Sequence, residues 1–399
     1  MSEYYHGVRV KEQPTSLNTP VNGTSGLQVI VGTAPVHTRE NPEALVNRPI
    51  IAYSYEDAVE ALGYSDDWDK YTLCQSMYVS KTYSVFPIIF INVLDPTEHT
   101  KDISAVEWNS QKDKEYVFDN ADIVRASVKV SKDSETVLEE GTDYITSVDD
   151  TGIISIMLLD GSTHYDASVL TVEAKKVDFE TEDMVMQIVG GYSVETGKNT
   201  GLSCVNDVFP TYQLTPGLVL APGFSHYPAV STALQAAVVN INGEFTANAV
   251  IDIDSSKNGA VKPADFAKQK EKQCVVDENA IALWLKVRHA GRDIWYSAMY
   301  AAAVAYIDAN NDDVPNLSPS NKALDISATV LANGEEIRLD KKTANNYINA
   351  FGGVTAINYG GWKMWGNNPT VSVTYIRGWH LLLQMLAFLF QEVLIFCFN

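Results

Sequence analysis

Apolar residues over the first hundred positions occur in short runs separated by polar segments that contain glycine or proline. The run GLQVIVGTAP, closed by Pro35, is the pattern of a strand buried on both faces. In SYEDAVEALGY the apolar residues have helical spacing. Ser54 and Asp57 are predicted to form a capping box at the N-terminus of this helix, and Gly63 to end it. A second helical pattern, LCQSMYVSKTY, and a second buried strand, FPIIFINVLDP, follow. These elements predict a right-handed β-α-β unit over residues 21–97.

The pattern changes between residues 98 and 187. Here RASVKVSKDSETVLEEGTDYITSVDDTGIISIMLLDG shows short alternating runs separated by acidic turns, which is typical of antiparallel strands and hairpins. Because this segment lies between two α/β segments, we interpret it as an inserted β domain.

The α/β pattern resumes over residues 188–352. PGLVLAPGFSHYPAVSTALQAAVV predicts a strand, a loop and a helix; ANAVIDID and AIALWLKV predict buried strands; DIWYSAMYAAAVAYIDANN and KKTANNYINAFGG predict helices. VTAINYGGWKMWGNN then predicts an aromatic strand with a glycine bend between Tyr359 and Trp362. The predicted fold class is therefore α/β, or α+β multidomain in the broader sense, with one discontinuous α/β domain.

Both ends of the chain differ from the rest. Residues 1–20 alternate weakly, so that Tyr4, His6, Val8 and Val10 would share one face of a strand, although a frayed terminus fits the same pattern. This segment is predicted to be either an extended arm or an unordered end.

The last residues, GWHLLLQMLAFLFQEVLIFCFN, are strongly apolar and have three interpretations: a membrane anchor, a buried core helix, or a domain that stops before it is complete. Leu381 to Phe398 is about the minimum length for a bilayer span, but polar side chains interrupt it and no basic cluster follows. Apolar residues also surround the whole helix instead of forming one stripe. We favour a truncated or frame-shifted terminus from about residue 370, with no membrane anchoring.

Composition and charge restrict the function. The 399 residues are 46% apolar and 20% charged, as in folded proteins of several domains. The net charge of -21 would repel a phosphate backbone, so nucleic acid is excluded as a partner. Four scattered cysteines are interpreted as free thiols, and the N-terminus lacks the apolar core of a signal peptide, which together predict a cytoplasmic origin.

The sequence contains no convincing catalytic or metal-binding motif. GGYSVETGKNTG resembles a phosphate loop, but its first glycine is one residue too far away and Asn199 stands where a Ser or Thr would bind magnesium. DANNDDVPNLSP begins like a calcium loop at Asp308, yet lacks the required glycine and glutamate. His226, His289 and the other histidines have no second ligand at metal-binding spacing. We therefore predict no metal, no cofactor and no catalysis.

Three blocks, in this order, resemble the tail sheath proteins of contractile bacteriophages and related bacteriocins: LVLAPGFSHYPAVSTAL, VPNLSPSNK and NNYINAFGGVTAINYGGWKMWGN. The opening YYHGVRVKEQPT, the following GTSGLQVIVGTAP and the helix YEDAVEALGY are similar to the N-terminal regions of the same family. The resemblance covers most of residues 1–367.

The resemblance implies a mechanical protein and not an enzyme. Sheath subunits form hexameric rings that stack around a tail tube and shorten to drive it through a cell envelope. The implied partners are other sheath subunits, the tail tube protein, and baseplate and tail terminator proteins. The implied location is the tail of a virion, from a phage, a prophage or a bacteriocin particle, assembled in the cytoplasm of the bacterial host.

The same resemblance gives roles to both ends of the chain. An N-terminal arm would contact a neighbouring subunit through Tyr4, Tyr5, Val8 and Val10. Residues 353–399 would be the remnant of a C-terminal assembly domain, and the residues assigned to it are Tyr359, Trp362 and Trp365.

One alternative comes from a different class of protein. An α/β enzyme would bind a small ligand at the carboxyl ends of its strands, near the segment GFSHYPAV.

Overall fold

The structure is a computed structural model that describes residues 26–133, 136–149 and 151–366. The predictions for Tyr4, Tyr5, Val8 and Val10 and for the apolar C-terminal segment lie outside these residues. The strands are β1 (Gln28–Gly32), β2 (Pro49–Ala52), β3 (Ile88–Asn92), β4 (Thr100–Asp102), β5 (Val106–Trp108), β6 (Glu115–Val117), β7 (Lys129–Ser131), β8 (Tyr144–Val148), β9 (Ile154–Leu158), β10 (Leu170–Glu173), β11 (Lys175–Val177), β12 (Gly191–Ser193), β13 (Lys198–Thr200), β14 (Leu218–Leu220), β15 (Asn248–Ile253), β16 (Ala280–Trp284), β17 (Lys286–His289), β18 (Arg292–Ile294), β19 (Ala328–Val330), β20 (Gly353–Asn358) and β21 (Trp362–Trp365). The α-helices are α1 (Tyr55–Leu62), α2 (Thr72–Tyr83), α3 (Thr181–Val189), α4 (Val208–Tyr212), α5 (Pro228–Ala237), α6 (Phe266–Lys272), α7 (Tyr296–Ala309) and α8 (Lys341–Thr343).

An eight-stranded sheet of order β2-β3-β1-β14-β15-β16-β20-β21 organises the molecule. Six neighbouring strands, from β3 to β20, run parallel, while β2 and β21 pair antiparallel at the two edges. Every residue of β1, β3, β14 and β16 is buried, as expected for apolar strands that have helices on both faces. Helices α1, α2 and α7 form one packed group, and α3 and α5 form another with the 3₁₀-helix Gly201–Asp207. The predicted α/β fold class is confirmed.

The local signals differ in how well they match the structure. Ser54 caps α1 by accepting the N–H of Asp57 at 3.0 Å, but the Asp57 carboxylate accepts from Tyr53 and not from Ser54, so the capping box is only half formed. AIALWLKV is not one strand, because Leu285 adopts a φ of 81° and sends β16 and β17 into different sheets. KKTANNYINAFGG is helical only in short pieces and ends at Gly352, with a φ of 71°.

Residues 100–177 contain three small antiparallel sheets, β5-β10-β7, β6-β9-β8 and β11-β4. The first two sheets enclose a second hydrophobic core that includes Trp108, Tyr144 and Ile156. By contrast, Met184 and Ile188 of α3 belong to the main core. The predicted boundary at residue 187 therefore falls within α3. The predicted boundary between residues 352 and 353 falls within the main sheet, because β20 begins at Gly353 and pairs with β16. The predicted domain limits stay a prediction.

A hydrogen-bonded contact joins this second core to the main sheet. His37 is fully buried and its Nε2 donates to the carbonyl of Ala121 at 2.9 Å, while its ring stacks on Tyr71 with centroids 5.5 Å apart. The Tyr71 hydroxyl donates to Asp122 Oδ1 at 2.6 Å, and Lys70 Nζ lies 2.6 Å from Asp122 Oδ2. Residues 121 and 122 are thus bonded to His37, Lys70 and Tyr71.

Replacing Gly353 at the start of β20 by alanine should destabilise the protein by about 1–3 kcal/mol, because a Cβ there would lie 2.2 Å from Cζ of Phe266. The matched control is Gly161→Ala, where nothing lies within 4 Å of the added carbon. Urea unfolding measures both variants. Adding Phe266→Leu to Gly353→Ala should recover part of the loss. Equal stability of Gly353→Ala and Gly161→Ala would contradict this packing.

His37 should make stability fall with acid. Burial lowers the pKa of His37 from 6.5 to about 4, and the positive charges of Lys70 and Arg39 act in the same direction. The hydrogen bond to Ala121 and the charge of Asp122 raise the pKa, but by less than burial lowers it. Its Nδ1 is buried and has no hydrogen-bond partner among the described residues, so a proton there would be unsatisfied. Between pH 6.5 and 4 the unfolded chain binds more protons at this position than the folded protein does. The free energy of unfolding therefore decreases as pH falls through this range.

The measurement compares wild type with His37→Gln, whose amide can still donate to Ala121 but does not titrate. Wild type should lose roughly 3 kcal/mol more than the variant between pH 7 and pH 4. Taking the difference between the two proteins at each pH removes the titration of all other groups. Parallel pH profiles would show that His37 is not buried as a neutral ring.

Candidate assembly surface and the polar end of the sheet

β20 and β21 form a hairpin and not the single bent strand predicted from the sequence. Gly360 and Gly361, with φ of 63° and 112°, make the turn, and Tyr359 at its tip is 58% exposed. On its other side β21 is hydrogen-bonded to the preceding chain: Asn321 donates its N–H to the Met364 carbonyl at 2.7 Å, and Leu324 donates to that of Trp362 at 3.0 Å. The protein therefore closes this edge of the sheet with its own residues.

Two of the three predicted assembly residues come together around one lysine. Lys341 Nζ lies 5.2 Å from the ring centroid of Tyr359 and 5.0 Å from that of Trp365. The Trp365 indole also donates to Asn345 Oδ1 at 2.7 Å. Trp362 is three residues from Trp365, which places it on the opposite face of β21, and both indoles are half-buried and pack in part against the main core. Tyr359, Trp365 and Lys341 are called the aromatic surface below.

The sequence prediction missed Lys341, as well as two exposed aromatic residues on the same segment, Tyr347 and Phe351, which are 45% and 49% exposed. These aromatic side chains could have been found because they lie in the same block of sequence as Tyr359. The contact of Lys341 with two rings depends on the hairpin and has no sequence signal.

The opposite edge of the main sheet is built differently. β2 pairs only with β3 among the described strands, and Ile50 and Ile51 are partly exposed. The strand begins at Pro49, which has no N–H to donate, and the Pro49 carbonyl accepts a hydrogen bond from the hydroxyl of Tyr212 at 2.8 Å. A short strand with a proline is a common way to limit unwanted pairing at an open edge.

At the carboxyl end of β15 lies a buried polar cluster, close to the segment GFSHYPAV. The Asp252 carboxylate accepts from Ser225 Oγ at 3.1 Å, from the Ser297 N–H at 2.9 Å and from Ser297 Oγ at 2.5 Å. Burial raises the pKa of Asp252 to about 6, against the opposing effect of these hydrogen bonds and of Lys286. Asp252 is only 2% exposed and Ser225 is fully buried.

His226 and Trp295 complete the packing around this cluster. Their rings stack with centroids 4.8 Å apart and planes 8° from parallel, and burial lowers the pKa of His226 to about 4. The carboxylate and hydroxyl groups point at one another inside the protein. The cluster therefore ties β15, the loop after β14 and α7 together.

The other two candidate motifs are also part of ordinary secondary structure. GGYSVETGKNTG forms the hairpin of β12 and β13, not a loop that leads from a parallel strand into an α-helix. Asp308 belongs to the last turn of α7, and the residues after it form a turn. Within residues 26–133, 136–149 and 151–366 there is no group of three or more His, Cys, Asp or Glu side chains that could hold a metal ion. In the same ranges, no helix combines the length and apolar character required to cross a bilayer.

Fold and candidate surface together define a multidomain α+β protein with exposed aromatic groups beside an edge of its main sheet. No family model matches the chain. It is 24% identical over 243 residues to the tail sheath protein of Burkholderia phage BcepMu, covering 60% of this chain and 47% of that protein. It is 27% identical over 192 residues to a putative prophage major tail sheath protein of Pseudomonas aeruginosa strain UCBPP-PA14, covering 48% and 47% of the two chains.

The resemblance to contractile tail sheath proteins is confirmed by these relatives. The chain spans about half the length of the curated relatives that it matches. Among solved structures, a chain of the anti-feeding prophage baseplate, determined by cryo-electron microscopy, is similar with a TM-score of 0.48 at 12% identity. That match covers 96% of this chain and 74% of the other.

Proposed function

We propose that this chain is a structural subunit of a contractile tail sheath. It polymerises as stacked rings around a tail tube and contracts to drive the tube through a cell envelope. The observation that carries the proposal is the alignment with two proteins named as tail sheath proteins, from a phage and a prophage. Its partners are other sheath subunits, the tail tube protein, and baseplate and tail terminator proteins, and its place is the virion tail after assembly in the host cytoplasm.

The aromatic surface supports assembly through its chemistry. Copies of a chain with a net charge of -21 repel one another, so they associate best where acidic side chains are few. Tyr359 and Trp365 are aromatic residues, a type enriched at protein interfaces, and Lys341 adds a positive charge beside them. This surface is our proposed contact for an acidic neighbouring copy.

The proposal needs no catalytic group. The polar cluster around Asp252 is buried and bonded internally, which argues against the alternative of a small-ligand enzyme at this end of the sheet. The energy for contraction would then be stored during assembly, as the difference in free energy between two packings of the same subunits.

Electron microscopy of two proteins tests the assembly role. One is this chain, and the other carries residues 1–367 followed by the remaining C-terminal part of the BcepMu tail sheath protein. We expect the fusion to pellet and to form tubes made of stacked rings. If both proteins stay monodisperse and a small molecule raises their melting temperature, the enzyme alternative is correct and the sheath proposal is wrong.

The aromatic surface is tested in the same fusion. Tyr359→Ser combined with Trp365→Ser should abolish the tubes, whereas Tyr53→Ser, a control at a tyrosine that is 67% exposed elsewhere, should leave them intact. Melting temperatures must be measured alongside, because Trp365 also bonds to Asn345. Tubes that persist with the double variant would exclude this surface as a contact.

For the N-terminal arm, which lies outside the described residues, we propose that residues 3–12, including Tyr4, Tyr5, Val8 and Val10, pair with the sheet of a neighbouring subunit. Deleting residues 1–20 should leave the melting temperature of the monomer nearly unchanged while reducing tube formation by the fusion. A deletion that unfolds the monomer would show that this strand belongs to its own core.

A further inference from the structure

An open cleft of about 730 Å³ lies between the loop after α1 and the small sheet of order β18-β17-β19. Residues 66–69 form one wall, and the rest is formed by Lys286, Arg288, residues 291–293 and residues 332–334. Three basic side chains line this cleft: Lys286, Arg288 and Arg292. Its volume is in the range of sites that bind small molecules or a few side chains of another protein.

The two arginines are already neutralised by the protein. Arg288 Nε lies 2.7 Å from Asp293 Oδ1, and its Nη1 lies 3.0 Å from Glu336 Oε1. Arg292 Nη1 lies 2.7 Å from Asp66 Oδ1. An anion entering the cleft would have to displace these carboxylates to reach either guanidinium group.

Lys286 differs from both arginines. The residue is only 9% exposed, and its ammonium nitrogen lies 4.8 Å from the ring centroid of Trp295. Among the described residues, no carboxylate lies within 4.0 Å of this nitrogen and no acceptor forms a hydrogen bond with it. Its charge acts on Asp252, but that carboxylate already accepts hydrogen bonds from Ser225 and Ser297.

The side chain of Lys286 is nearly buried, but its ammonium nitrogen is reached by solvent in the open cleft and lies beside an aromatic ring. An anion placed in the cleft would replace water beside this nitrogen and give it a charged acceptor. The acidic side chains on the walls, Asp66, Asp67, Asp69 and Asp293, restrict which anion can enter. They would repel a phosphate group with two charges more strongly than a carboxylate with one.

We propose that Lys286 binds a carboxylate group that enters this cleft from outside the chain. The carboxylate comes either from a free small acid or from a side chain or terminus of another polypeptide. The assignment rests on the cleft and on Lys286 alone, and it is independent of the proposed sheath role.

The first experiment titrates the full chain with sodium propionate against sodium chloride at constant ionic strength and follows the melting temperature. Propionate should stabilise wild type, and its apparent affinity should fall about tenfold in Lys286→Gln and Lys286→Met, because a charge-assisted hydrogen bond is lost. Lys286→Arg keeps the charge and should retain binding. If one neutral variant does not fold, the other still provides the comparison.

The matched control is Lys81→Met. Lys81 is exposed, and its Nζ lies 4.0 Å from the ring centroid of Tyr55, so this variant also removes a lysine that contacts an aromatic ring, but outside the cleft. The control should bind propionate like wild type. Identical curves in propionate and chloride for wild type, or equal losses in the Lys81 and Lys286 variants, would overturn a free acid as the ligand.

A second experiment tests a carboxylate carried by a polypeptide. A mixture of ¹⁴N- and ¹⁵N-labelled chains is treated with a water-soluble carbodiimide, which joins a carboxylate to a contacting amine, and the linked peptides are identified by mass spectrometry. Mixed-isotope links at Lys286, in excess of those at Lys81, would identify a second copy as the source. Propionate binding without such links supports a free acid, and the absence of both signals rejects the proposal.

Discussion

Main-chain hydrogen bonding in the eight-stranded sheet is the constraint on which the rest of the structure depends. Strands β1, β3, β14 and β16 are buried along their whole length, so water cannot satisfy their N–H and C=O groups. Each of them must therefore have a strand on both sides, and the pairing can end only at β2 and β21. β2 is short and begins at Pro49, while β21 is covered by residues 321–324. Residues 100–177, which carry the second core, follow β3 and precede α3 in the chain, so they interrupt none of these pairings.

The carboxyl ends of the parallel strands show how the same constraint controls the polar residues. Asn92 at the end of β3 accepts the N–H of Ala34 at 2.9 Å and donates to the Leu94 carbonyl at 2.9 Å, so it bonds the loops that leave two neighbouring strands. Asp252 in β15 accepts hydrogen bonds from Ser225, in the loop after β14, and from Ser297 in α7, so it also links neighbouring elements. In many α/β proteins this end of the sheet binds ligands. Here Asn92 and Asp252 bond to the neighbouring loops and to α7, and the open cleft is lined instead by Lys286 and residues of the small sheet.

Continuous apolar runs and helical spacing were enough to predict β1, β3, α1 and α2, because buried strands and helices of this length leave a pattern over many residues. The edge strand β2 has four residues and leaves no such pattern. The break at Leu285 has no signal either, since a positive φ at leucine is set by the two sheets that meet there. For the candidate surface, strand alternation applied to Trp362 and Trp365 would have placed them on opposite faces. Lys286 could not be predicted, because its environment is created by residues from three distant segments.

Net charge bears on Lys286 and Lys341, two of the five lysines that lie over an aromatic ring among the described residues. The chain carries 50 acidic and 29 basic residues, and at physiological ionic strength their repulsion is screened beyond about 8 Å. Association with an acidic neighbour is therefore decided by groups at contact distance. Lys341 lies between Tyr359 and Trp365, and Lys286 lies over Trp295, so each offers a positive charge beside an apolar surface. A carboxylate that reached either lysine would replace repulsion by a direct charge-assisted contact.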